Sequence, residues 1–317
     1  MSYELNMNMG WGMMLVLSFL LAPLMLGIIN RVKAFFAGRQ GPPLLQLYFD
    51  LIKLMQKGTV YSTSTSSIFR IAPVISLAVF VIAAMMLPFA GFKVPDFLVF
   101  RGDLILFVYL LALARIITVL AALDTASSFE GMGASREVQF SAIAEGAFIG
   151  SMTCLAVLGE SLRLSDILTN HAAMNLITPH CTSIFLIALS LFLVMLSESC
   201  RVPFDDPNTH LELTMIHEAM ILDNSGPDLA YILYGASLKL WIFASLIVMI
   251  LIPFHGSFWW NIPVFLSAMA LIGVLIGIVE SVMARFRFIK IPQLLVGALG
   301  LTILGIVLNL VINAEGL

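Results

Sequence analysis

Eight long apolar runs constrain this chain more than any other feature of it. A helix needs about 20 mostly apolar residues to cross the hydrocarbon core of a bilayer. Segments near 9–30, 71–91, 103–123, 139–160, 181–198, 229–253, 261–283 and 293–313 all qualify. None alternates with the period of two that a barrel strand requires, which leaves helices to satisfy the backbone in lipid. The expected fold is therefore all-α: a polytopic membrane protein with eight transmembrane helices in a single membrane domain over residues 1–317. Composition agrees. The chain is 60% hydrophobic and 11% charged, whereas soluble domains carry roughly 25% charged residues. Its net charge of −3 argues against nucleic acid as a partner, since that would need a basic face. The first apolar run is too long for the core of a signal peptide, and its first charge is Glu4, so it is expected to be a true span.

The basic residues give the orientation. The odd-numbered loops hold eleven: Arg31, Lys33, Arg39, Lys53, Lys57, Arg70, Arg136, Arg201, Arg285, Arg287 and Lys290. The even-numbered loops hold three, Lys93, Arg101 and Arg163. Both termini are thus expected outside, with the long loops in the cytoplasm. Residues 31–70, 124–138 and 199–228 are expected to form inner loops and, together, a docking face. Within the first, Leu44, Leu45, Tyr48, Leu51, Ile52 and Met55 recur at the spacing of an amphipathic helix. Such a helix would lie on the membrane surface and could also meet a partner.

A charged side chain at the bilayer centre costs at least ~2.5 kcal/mol, so each one requires a reason. Arg115 lies mid-span three and Asp124 closes that span; Glu145 lies in span four, Glu198 ends span five, Lys239 is inside span six and Glu280 is near the inner end of span seven. Cations on spans three and six with carboxylates on spans four and five suggest an internal polar chain of the kind that relays protons or cations. The bland alternative is that each charge is simply neutralised by a neighbour.

Three polar motifs fall on the inner side. The first runs Gly38-Arg39-Gln40-Gly41-Pro42-Pro43 to Gln46, Asp50 and Lys53. The second runs from Leu123-Asp124-Thr125 through Gly133-Ala134-Ser135-Arg136-Glu137 to Glu145. The third is Glu198-Ser199-Cys200-Arg201-Val202-Pro203-Phe204-Asp205-Asp206-Pro207, followed by His210, Glu212 and Glu218. Glu198 and Arg201 stand at i, i+3 and could pair on one helical face, and Arg201 could hold either Glu198 or Asp205 ionised. His217-Glu218 does not extend to a zinc-binding HExxH, because position 221 is Ile221, and no metal site is expected. Cys154, Cys181 and Cys200 contain no CxxC pair, too few thiolates for an iron–sulfur cluster within this chain.

These three motifs, in this order on alternate inner loops of an eight-span chain, resemble the family of the respiratory complex I membrane protein next to the peripheral arm, with its counterparts in membrane-bound group 4 nickel–iron hydrogenases. The short spacing from Arg39-Gln40-Gly41-Pro42 to Gln46 and Asp50, the stretches Leu123-Asp124-Thr125 and Gly133–Glu137, and Glu280-Ser281 with Met283-Ala284-Arg285 and Arg287 look like the formate hydrogenlyase and hydrogenase 4 component C type. Asn208 and His210 stand where the complex I branch has acids, and Leu222-Asp223-Asn224-Ser225-Gly226 replaces its Glu-Tyr-Ser-Gly pattern.

The resemblance implies that spans two to six form half of an antiporter-like unit. It implies a non-catalytic subunit of the prokaryotic cytoplasmic membrane, with no cofactor of its own. Iron–sulfur clusters and a nickel–iron centre would sit on a small cluster-bearing subunit and a large catalytic subunit, and antiporter-like membrane subunits would complete the complex. Arg115, Asp124, Glu137, Glu145, Glu198, Asp205, Asp206, Glu212, Glu218, Lys239 and Glu280 are then the candidates for ion coupling. Arg39, Gly41, Pro42, Gln46, Asp50, Lys53, Arg136, Arg201, Pro203 and Phe204 are the candidates for partner docking. The alternatives are a complex I-type subunit lining a quinone chamber, a stand-alone secondary transporter, and a passive anchor.

Overall fold

The computed structural model describes residues 2–170, 180–205, 215–254 and 258–315. Among them it contains helices and no strand. Eight helices are long and apolar enough to cross a membrane. They are α1 (Ser2–Phe36), α3 (Ser67–Met85), α4 (Asp103–Asp124), α5 (Ser128–Leu158), α7 (Cys181–Glu198), α9 (Gly226–Leu251), α10 (Phe258–Val282) and α11 (Ile291–Glu315). Among the described residues three shorter α-helices join them: α2 (Gln46–Met55), α6 (Leu164–Asn170) and α8 (His217–Met220). Eight crossings leave both termini on one side, the termini face. The long connections lie on the other side, the loop face.

α9 is the centre of the bundle. Of its apolar window 72% is buried, against 28% for α11 at the periphery. It packs on α1, α2, α3, α7 and α10. A second group joins α5, α7 and α11, where small and hydroxyl side chains bring the backbones close, as is usual in lipid. A Cβ on Gly150 would come within 2.8 Å of Thr302. The Thr302 hydroxyl bridges Ser190 at 2.7 Å and Ser151 at 3.1 Å.

Two expectations about the loops need correction. Residues 128–138 are the opening turns of α5, not a loop. Their polar composition hid a helix that is stabilised by tertiary packing: α5 lies against α8, and Gly133 lets the Ile216 carbonyl approach. α2 forms where expected but uses a shifted face. Tyr48 donates its hydroxyl to the Leu20 carbonyl of α1, and Leu47, Leu51 and Leu54 are half-buried, while Leu45, Phe49, Ile52 and Met55 stay exposed. The helix is therefore apolar on both its packed and its outer side, which suits a position at the membrane interface.

Candidate functional site

The intramembrane charges come together in one chain across four helices. Lys239 Nζ of α9 lies 2.7 Å from Glu198 Oε2, at the end of α7. The other oxygen of Glu198 accepts from Arg115 Nη2 of α4 at 2.6 Å. Arg115 Nη1 donates to Glu145 Oε1 of α5 at 2.5 Å, and Arg115 Nε lies 4.0 Å from Glu137, also on α5. The signs alternate along the path, so each charge sits beside its opposite. A charge buried alone would be far more costly than one in such a pair. Glu198 is the most buried of these side chains at 3% exposure, and Glu145 the most open at 36%.

Two hollows flank this chain. One, of about 70 Å³, reaches from Arg115, Glu198 and Lys239 to Glu137, Ser199 and His217. Arg115 Nε and Ser199 Oγ are buried there without a hydrogen-bond partner, and the volume is large enough to admit water. Burial pushes the His217 imidazole down to about 4, with Lys239 reinforcing the shift and Glu198 opposing it. The second hollow, of about 250 Å³, lies between α4 and α5, where Glu145 and Arg115 meet apolar walls.

A separate polar cluster fastens the loop after α7. Glu280 of α10 pairs with Lys33 at 2.8 Å and with Arg201 at 3.4 Å. Asp205 accepts from Arg285 at 2.8 Å and from the backbone N–H groups of Ile216 and His217 at 3.2 and 3.3 Å. Arg136 donates to the Met215 carbonyl and lies 4.5 Å from the centre of the Phe288 ring. The pairing of Arg201 with Glu198 or Asp205 is not what forms. Cys200 takes a left-handed φ of 52°, the chain turns, and Glu198 is already held by Lys239 and Arg115.

The candidate residues thus divide. Arg115, Glu137, Glu145, Glu198 and Lys239 form the chain, whereas Glu280 and Asp205 belong to the loop cluster. Asp124 serves a helix end, accepting from the N–H groups of Ser66 at 2.7 Å and Phe69 at 3.3 Å at the start of α3. Glu218 sits on α8 beside His217, and Asp206 and Glu212 lie outside the described residues. Of the docking candidates, Arg39, Pro42 and Lys53 are exposed on the loop face. Gln46 donates to Asp50 at 2.9 Å within α2, Gly41 allows close approach to Ala34, and Arg136 is half-buried. Arg201, Pro203 and Phe204 are buried; they shape the loop from within and offer no surface. Lys33 and His217 were not foreseen at these sites, because their partners are remote in sequence and follow no helical spacing.

Known proteins share this architecture. A family profile described as NADH dehydrogenase matches residues 9–311. Hydrogenase-4 component C of Escherichia coli (strain K12) is 33% identical over 290 residues, 87% of each chain. Formate hydrogenlyase subunit 4 of the same organism is 28% identical over 305 residues, 91% of this chain and 94% of the relative. Among solved structures, a chain of the membrane-bound sulfane sulfur reductase, an archaeal respiratory membrane complex, superposes with a TM-score of 0.81 at 17% identity, covering 96% of this chain and 99% of that one. With eight spans, a match along nearly its whole length and relatives of the same extent, the chain belongs to the NADH dehydrogenase family of complex I-like membrane proteins.

Proposed function

We propose that this chain anchors and couples a multi-subunit redox complex, of the group 4 nickel–iron hydrogenase or formate hydrogenlyase type, in a prokaryotic cytoplasmic membrane. The observation that carries this reading is the unbroken run Lys239–Glu198–Arg115–Glu145 through four helices, with a cavity that extends from it to the loop residues Ser199 and His217. Passive anchoring has no use for so many charges at bilayer depth. The loop face is cytoplasmic in this reading, following the basic residues. It seats a small cluster-bearing subunit and a large catalytic subunit, which carry the iron–sulfur clusters and the nickel–iron centre. Antiporter-like subunits lie beside this chain in the membrane. A redox change in the docked arm alters the field at the loop cluster and at His217. One pKa unit corresponds to about 1.4 kcal/mol, so modest changes of field move a proton or Na⁺ along the chain.

The experiment is substitution in the intact complex, reconstituted into vesicles. Glu145→Gln and Glu198→Gln are expected to retain assembly and electron transfer while lowering ion translocation per electron. Full translocation in both variants refutes the assigned path.

A further inference from the structure

The two hollows beside the charged chain have two lining residues in common, Arg115 and Glu198. The smaller one opens toward the loop residues Ser199 and His217. The larger follows α4 and α5 toward the termini face and meets a third recess, of about 490 Å³, at Thr153. Arg101, Glu160, Arg163 and Asp166 give that recess a charged rim. From Glu145 to Thr153 is two helical turns, about 12 Å along α5, and Glu160 lies just beyond the helix end. The larger hollow thus runs from Arg115 and Glu145 to Leu104 and Thr153, near the termini-face ends of α4 and α5, where the charged recess adjoins it.

Arg115 stands between the compartments. Its guanidinium bonds an acid of the groove, Glu145, and the shared acid, Glu198, and lies 4.0 Å from an acid of the loop-side cavity, Glu137. Glu145 is over one-third exposed at bilayer depth, where an ionised group needs water or a polar neighbour. Arg115 meets part of that need at 2.5 Å, and the groove beside Glu145 leaves its open side room for water.

Building on the coupling role above, we infer that the Arg115–Glu198 pair is the partition of a two-sided ion path. The loop-side cavity loads the chain, the α4–α5 groove empties it at the termini face, and the guanidinium prevents direct passage. A proton arriving at Glu198 neutralises its carboxylate and frees one arm of Arg115. When that proton passes on to Glu145 and leaves along the groove, the Arg115–Glu198 contact re-forms.

The test needs no turnover, so its outcome is separate from whether the complex pumps. The intact complex is placed in sealed vesicles without substrate, and the decay of an imposed pH gradient is followed. Arg115→Ala is expected to accelerate the decay severalfold over the native complex. Adding Ala112→Trp, which fills the groove, is expected to restore the native rate. An unchanged decay in assembled Arg115→Ala overturns the inference. Should that variant not assemble, Thr153→Cys decides, since its exposed position leaves the packing intact. A membrane-impermeant thiol reagent added at the termini face is expected to label this cysteine, as located by peptide mass spectrometry. Labelling by a lipid-soluble maleimide alone means that hydrocarbon fills the groove, and overturns the inference.

Discussion

Glu198 holds two cations from two helices, and its loss is expected to cost more than the loss of either contact singly. Removing one partner of a buried ion pair typically costs about 3–5 kcal/mol. Glu198→Ala strands both Lys239 and Arg115, so a destabilisation of that size is expected in thermal unfolding of the detergent-purified chain. Glu145→Gln should cost much less, because its side chain is partly exposed and solvent screens the contact. A second prediction concerns acid. His217 has its folded pKa near 4, below the ordinary 6.5, so the unfolded chain binds more protons in that window. Stability should then fall as pH drops from 6.5 toward 4, and His217→Gln should flatten that part of the profile in melts taken across the range. At this scale the sequence revealed which charges sit in the wrong solvent. It did not reveal who meets whom. Arg201 stands three residues from Glu198 yet pairs with Glu280, because a single left-handed residue, Cys200, redirects the chain.

Elements were more legible than contacts, since hydrophobic length alone defines a span. The fifth was readable to the residue, 181–198. The start of α5 was not, because Gly131 to Glu137 looks like a polar loop, and only α8 and the Ile216 carbonyl make it a helix. Asp124 shows the same limit. Its place at the close of span three is plain in the sequence, but not that it binds N–H groups at the start of α3, the role that orphan donors at a helix N-terminus create. The seating of α2 was likewise invisible in its own sequence. It depends on Gly27 in α1, where any Cβ would overlap the Leu44 carbonyl. Gly27→Ala is therefore expected to displace the start of α2 and to destabilise the chain by about 1–3 kcal/mol, as overpacking does. A lowered unfolding temperature and faster proteolysis between residues 37 and 45 would register it.

For the whole molecule, the asymmetry of the two faces matters most. Arg39, Pro42 and Lys53 are the docking candidates left exposed once the buried Arg201, Pro203 and Phe204 are set aside. Arg39→Glu with Lys53→Glu is expected to weaken co-purification of the proposed cluster-bearing partner several-fold while membrane insertion is unchanged; equal recovery would move the proposed docking face elsewhere. This surface is tied to the interior by α9. At its first residue, Gly226 has a φ of 57° and so little room that a Cβ would come within 2.8 Å of the Gly58 carbonyl. The neighbouring Ser225 hydroxyl accepts from the Val60 N–H at 3.1 Å. Lys239 is about 20 Å further along the same helix, of whose apolar window 72% is buried. One continuous helix therefore joins the contact with the segment around Gly58 to the Lys239 ammonium, the wetted surface to the dry interior.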